Sequence, residues 1–128
     1  MKLLLDTHVL LWAVVEPEAL SESVRSALAD PENTLLVSSA TAWEIATKHR
    51  IGRLPQAADL IANLGSYVEA LGAVELPITI RHAQTAGLFR TEHRDPFDRM
   101  LAAQAVLEGL TLLTSDPAFS AFPAATMW

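Results

Sequence analysis

The feature that most constrains this chain is an alternation of short, almost wholly apolar runs with longer amphipathic stretches. Strands buried on both faces read as continuous apolar runs, and the stretches between them supply the crossover helices of a parallel sheet. Residues 2–5 (Lys-Leu-Leu-Leu), Thr34–Val37, Val74–Leu76 and Leu110–Leu113 are predicted strands, with a further edge strand near Ala124–Met127. Helices are predicted from Thr7 to about Val15, Ser21 to about Ala29, Ser39 to about Arg50, 57 to 71, Ile80 to Phe89 and Asp95 to about Glu108. Caps, prolines and glycines mark their ends, and a short helix follows Asp116-Pro117. The expected fold is α/β with three layers, a central, mostly parallel sheet of four to five strands flanked by helices. With 128 residues, 51% of them hydrophobic, one domain spanning 1–128 buries a core without staples.

Several chemistries are excluded. The chain has no cysteine, which removes disulfides, zinc–thiolate sites and thiol nucleophiles. It has neither a Walker-type loop nor a Gly-x-Gly-x-x-Gly run, so nucleotide-binding readings fall away. His8, His49, His82 and His93 form no zinc pattern. The apolar run before Asp6 is too short for a secretory leader or a membrane span, so the expectation is a soluble, cytoplasmic protein. A net charge of −6 opposes nucleic-acid binding unless the acids themselves hold cations. Two basic groups, Lys48/Arg50/Arg53 with His49 and Arg90/Arg94/Arg99 with His93, read either as solvated patches or as a phosphate track.

The acids fall in a pattern. Asp6 directly follows the first strand, Asp116 lies just past the fourth, and Glu44 sits in the first turns of the helix after the second. Parallel strands share one C-terminal edge, where ligands of open α/β sheets bind. Asp98, in the first turn of the Asp95-Pro96-Phe97-Asp98 helix, joins them if that helix start faces the same crevice. Mg²⁺ and Mn²⁺ prefer oxygen ligands, and an ion so held polarises a phosphoryl oxygen and activates water. Capping accounts equally well for Asp6, Asp95, Asp98 or Asp116 taken singly, and a capping box with Thr41 or a pair with Lys48 accounts for Glu44. Jointly the capping explanation weakens, because Ser, Asn or Thr would cap as well. Asp95 is favoured as a cap. His93 either touches a phosphate or orients an acid, or is a solvated loop histidine, the last being the favoured reading. Thr114 and Ser115 either cap or bond an acid. Trp12, Trp43 and Trp128 read as core or interface anchors.

Leu-Leu-Leu-Asp6-Thr7-His8, Ser38-Ser39-Ala-Thr-Ala-Trp43-Glu44-Ile45-Ala46, His93-Arg94-Asp95-Pro96-Phe97-Asp98-Arg99-Met-Leu-Ala-Ala-Gln and Leu113-Thr114-Ser115-Asp116 occur in this order. The set resembles the PIN-domain proteins, and more narrowly the VapC-type toxins of toxin–antitoxin pairs, over essentially the whole chain. The resemblance implies an endoribonuclease that binds Mg²⁺ or Mn²⁺ through Asp6, Glu44, Asp98 and the more variable Asp116, with Thr114 as a hydroxyl near the metal. It also implies a homodimer, RNA as substrate and a VapB-like antitoxin as partner.

Two other classes are open at this point. A haloacid-dehalogenase-like phosphatase also places an Asp at a strand end, but it wants a second acid where His8 stands. A non-catalytic PIN-like binding module would use the Leu60/Ile61/Leu64/Val68/Leu71 stripe for association, although such stripes more often face a core.

Overall fold

The computed structural model describes residues 1–128. Its framework is a five-stranded, wholly parallel sheet in the order β3-β2-β1-β4-β5. The strands are β1 (Lys2–Leu5), β2 (Thr34–Ser38), β3 (Ala73–Leu76), β4 (Thr111–Leu113) and β5 (Thr126–Met127). The helices are α1 (Thr7–Val15), α2 (Glu22–Ala29), α3 (Ser39–Arg50), α4 (Ala58–Ala62), α5 (Leu64–Ala70), α6 (Ile80–Leu88) and α7 (Pro96–Glu108). None of them is long and apolar enough to cross a membrane.

The period-two geometry of a strand explains why β1 is apolar throughout. Leu3 and Leu5 face one core with Val9, Leu10 and Ile45, while Leu4 faces the other with Leu101, Leu112 and Phe119. Helices therefore cover both faces of the sheet. Leu60 is buried, and Ile61, Leu64, Val68 and Leu71 are half-buried against the first core.

The chain extends the sheet outward through β1, β2 and β3, then crosses back through α6 and α7 to place β4 on the other side of β1. The reversal of strand order creates a crevice beyond the C-terminal ends of β1 and β4. Leu5 pairs with Leu113, so Asp6 and Thr114 leave the sheet side by side. The Asp6 amide donates to the Leu113 carbonyl at 3.0 Å.

Three elements differ from expectation. The predicted helix over 57–71 is a 3-10 turn (Pro55–Ala57) followed by α4 and α5, which break at Asn63 with φ −126°. The Asn63 side-chain amide donates to the Asp59 carbonyl at 3.0 Å, an acceptor it shares with its own backbone N–H, and to the Asp59 carboxylate at 3.1 Å. The segment after Asp116 is likewise a 3-10 turn, Pro117–Ala121. A further 3-10 turn, Pro17–Ala19, links α1 and α2. Gly109 ends α7 at φ +64°, a conformation that costs a residue with a Cβ.

Candidate metal centre

Asp6 occupies the N-cap position of α1, yet its side chain makes no capping bond. Its Oδ2 instead accepts a 2.7 Å hydrogen bond from the Thr114 hydroxyl across the β1–β4 register. The Asp116 amide donates to the same hydroxyl oxygen at 3.0 Å, which turns the Thr114 proton toward Asp6. Asp6 is buried, and burial raises its pKa against the lowering effects of the Thr114 bond, the His8 charge and the Thr7 backbone; the Glu44 charge raises it further.

Glu44 projects from the second turn of α3, a helix started by the Ser38 hydroxyl, which accepts from the Ala40 amide. The capping-box role through Thr41 is therefore not used; Thr41 Oγ1 lies 3.2 Å from Thr7 Oγ1 instead. Glu44 is buried. Thr7 donates to its Oε1 at 2.6 Å, and Lys48, one turn along the helix, pairs with its Oε2.

Asp95 and Asp98 separate cleanly. Asp95 Oδ1 accepts from the amides of Phe97 (2.9 Å) and Asp98 (3.2 Å) and caps α7, with Pro96 in the first turn. Asp98 makes no cap. Its Oδ2 lies 2.9 Å from His93 Nε2, and no other side-chain partner in the chain reaches it. Burial first, then repulsion from Asp95, Asp6 and Glu44, raises its pKa to about 6 against the opposing His93 bond. That repulsion places Asp6, Glu44 and Asp98 in one electrostatic neighbourhood although they come from three separate elements. The carboxylate of Asp116 is not among the main charges that shift Asp6 or Asp98. It is exposed and caps the 3-10 turn by accepting from Ala118 at 2.9 Å.

Two sequence expectations change here. His93 is no solvated loop residue. It is half-buried, packs edge-on against Phe122 at 5.4 Å and holds Asp98. Neither basic group is a purely solvated patch, because Lys48, His49, His93 and Arg99 are engaged internally. Lys48 is paired with Glu44. The Arg99 guanidinium donates to the carbonyls of Ala86, Gly87, Phe89, Thr91 and His93 at 2.6–3.3 Å, tying down the loop that presents His93. Arg90 and Arg94 are exposed. Trp43 is also mostly exposed, with its ring edge-on to Phe97 at 4.7 Å. Sequence reasoning did not foresee the Thr7 bond to Glu44 or the convergence of so many carbonyls on Arg99, since neither follows from local spacing.

The donor set suits a hard divalent cation. It consists of carboxylates only, shielded from water and repelling one another, with two of them shifted toward the protonated form. No three acids or imidazoles are yet close enough to form a ready cage.

A PIN-domain family model matches residues 3–125. The chain belongs to the PIN-domain family. Its parallel sheet with helices on both faces agrees with solved structures of PIN-like architecture. VapBC2 from Rickettsia felis, bound to a DNA fragment from their promoter, superposes with a TM-score of 0.71 at 18% identity, covering 99% of this chain and 98% of that one. FitAcB from Neisseria gonorrhoeae gives 0.64 at 21% identity, with 98% and 96% covered. At such identities the likeness is one of fold. Ribonuclease VapC16 of Mycobacterium tuberculosis is 33% identical over 69 residues, 54% of this chain and 47% of that protein. The PIN-domain chain thus matches about half the length of this curated relative.

Proposed function

We propose that this PIN-domain chain is a metal-dependent endoribonuclease and the toxin of a VapBC-type toxin–antitoxin pair. The observation that carries the catalytic reading is the convergence of Asp6, Glu44 and Asp98 at the β1–β4 crevice, where burial and mutual repulsion raise Asp6 and Asp98. The match to a ribonuclease supports the choice of RNA, and the VapBC2 structure supports a VapB-like antitoxin as partner. The same reading takes residues 1–128 as one PIN-like domain working in the cytoplasm as a homodimer.

Asp6, Glu44 and Asp98 would hold Mg²⁺ or Mn²⁺, and Asp116 would serve at the rim, for a second ion or for the attacking water. The cation, when bound, supplies the Lewis acidity that phosphodiester hydrolysis needs. The chain's own contribution is orientation. Thr114 fixes Asp6, Thr7 fixes Glu44, and His93 fixes Asp98 with its Oδ1 left open. Exposed Arg90 and Arg94, beside the His93 loop, are placed to meet flanking phosphates.

Cleavage of a mixed RNA substrate in Mn²⁺ tests the assignment. Asp6→Asn and Asp98→Asn should each lower the rate about a hundredfold or more, the loss of roughly 3 kcal/mol of transition-state stabilisation. Asp95→Asn, which keeps a good cap, should stay within a few-fold of the parent. Undiminished cleavage by Asp6→Asn would sink the reading. A parent chain that neither cuts RNA nor binds Mn²⁺ would favour a binding module.

A further inference from the structure

Glu44 and Lys48 stand one turn apart on α3, a spacing that ordinarily gives an exposed helix pair of little consequence. This pair differs in where its carboxylate lies. The Glu44 side chain is 4% exposed and faces the acid crevice, while Lys48 reaches in from the rim with 26% of its side chain exposed. Thr7 already occupies Glu44 Oε1, so Lys48 takes the remaining oxygen of the very carboxylate that must turn to a divalent ion. The other side chains that act on these acids include His8 beside Asp6 and His93 on Asp98, while the neighbouring Arg99 is spent on backbone carbonyls. Lys48 is the one lysine or arginine that forms an ion pair with any of these acids. A lysine suits a removable role, because its ammonium is a point charge on a flexible stem and has a short path back to water.

We propose that Lys48 is a resident counter-cation of the centre. It neutralises buried Glu44 while the site lacks a divalent ion, competes with that ion for Glu44 Oε2, and is released toward the crevice mouth when the ion binds. The freed ammonium then faces the anionic substrate. This explains why the acids share a neighbourhood without forming a ready cage, since one of them is held by the lysine. It also makes the tightness of metal binding a property tuned by residue 48. The inference rests on the metal-dependent reading above.

The test uses the whole chain. Isothermal titration with Mn²⁺ should show Lys48→Met binding several-fold to about tenfold tighter than the parent, in the range of a partly shielded ion pair. Lys48→Arg should stay near the parent affinity, and Lys48→Met should cut RNA more slowly even at saturating Mn²⁺. A second measurement needs no variant. The chain has two lysines, Lys2 and Lys48, so a chain labelled with ¹³C-lysine gives two side-chain signals. Titration with Mg²⁺ should move the Lys48 signal toward that of free lysine and leave exposed Lys2 unmoved. A parent that binds Mn²⁺ while Lys48→Met binds no tighter, or an unmoved Lys48 signal at saturating Mg²⁺, overturns the proposal alone. A parent that binds neither ion overturns the metal reading and this inference together.

Discussion

Replacing Asp98 by Asn should slow cleavage about a hundredfold or more and at the same time stabilise the metal-free protein at neutral pH. The carboxyl ionises near 3.8 when unperturbed and at about 6 in the folded chain. Below 3.8 both states carry the proton and Asp98 has no net effect. Between 3.8 and about 6 the unfolded chain has lost the proton while the folded chain keeps it, so stability falls as pH rises. Above that window both are ionised and the full penalty applies. The gap corresponds to about 3 kcal/mol, and with the Asp98 side chain 14% exposed at the crevice mouth, solvent screening leaves about 1–2 kcal/mol. Asn removes the charge, and its amide oxygen still accepts from His93. Urea unfolding in EDTA should therefore show Asp98→Asn more stable than the parent by about 1–2 kcal/mol at pH 8, or roughly 3–8 °C in Tm, with little difference at pH 4. A variant equal to the parent at pH 8, or one whose difference does not grow between pH 4 and pH 7, would refute the electrostatic account of the centre.

Two further outcomes probe the groups that orient the acids. Thr114→Val removes the donor to Asp6 and should cost about 1–2 kcal/mol by chemical denaturation and weaken Mn²⁺ binding, whereas Thr114→Ser should restore both. Arg99→Met strips five carbonyls of their common donor, and should destabilise the chain by about 2–4 kcal/mol and speed proteolysis around residues 87–93.

Local pattern was enough to read the alternation of strands and helices, because buried parallel strands leave apolar runs and caps punctuate helices. It was also enough to place Asp6 at a strand end and Glu44 four residues before Lys48. It misread 57–71 as one helix because the break at Asn63, whose side chain bonds back to Asp59, leaves no mark on the apolar periodicity. Spacing left the acids ambiguous, since an N-cap carboxylate and a crevice carboxylate occupy the same position in a chain. Only the tertiary structure separates them. Asp95 and Asp116 turn to backbone amides at their own helix starts. Asp6 is turned away from its helix by Thr114, 108 residues distant, and Asp98 by a histidine loop anchored on Arg99. Local residue pattern dictates which elements form and that several of them end in carboxylates. Which carboxylates share one desolvated field was decided by the reversal of strand order between β1 and β4, because repulsion between charges depends on distance in space rather than along the chain.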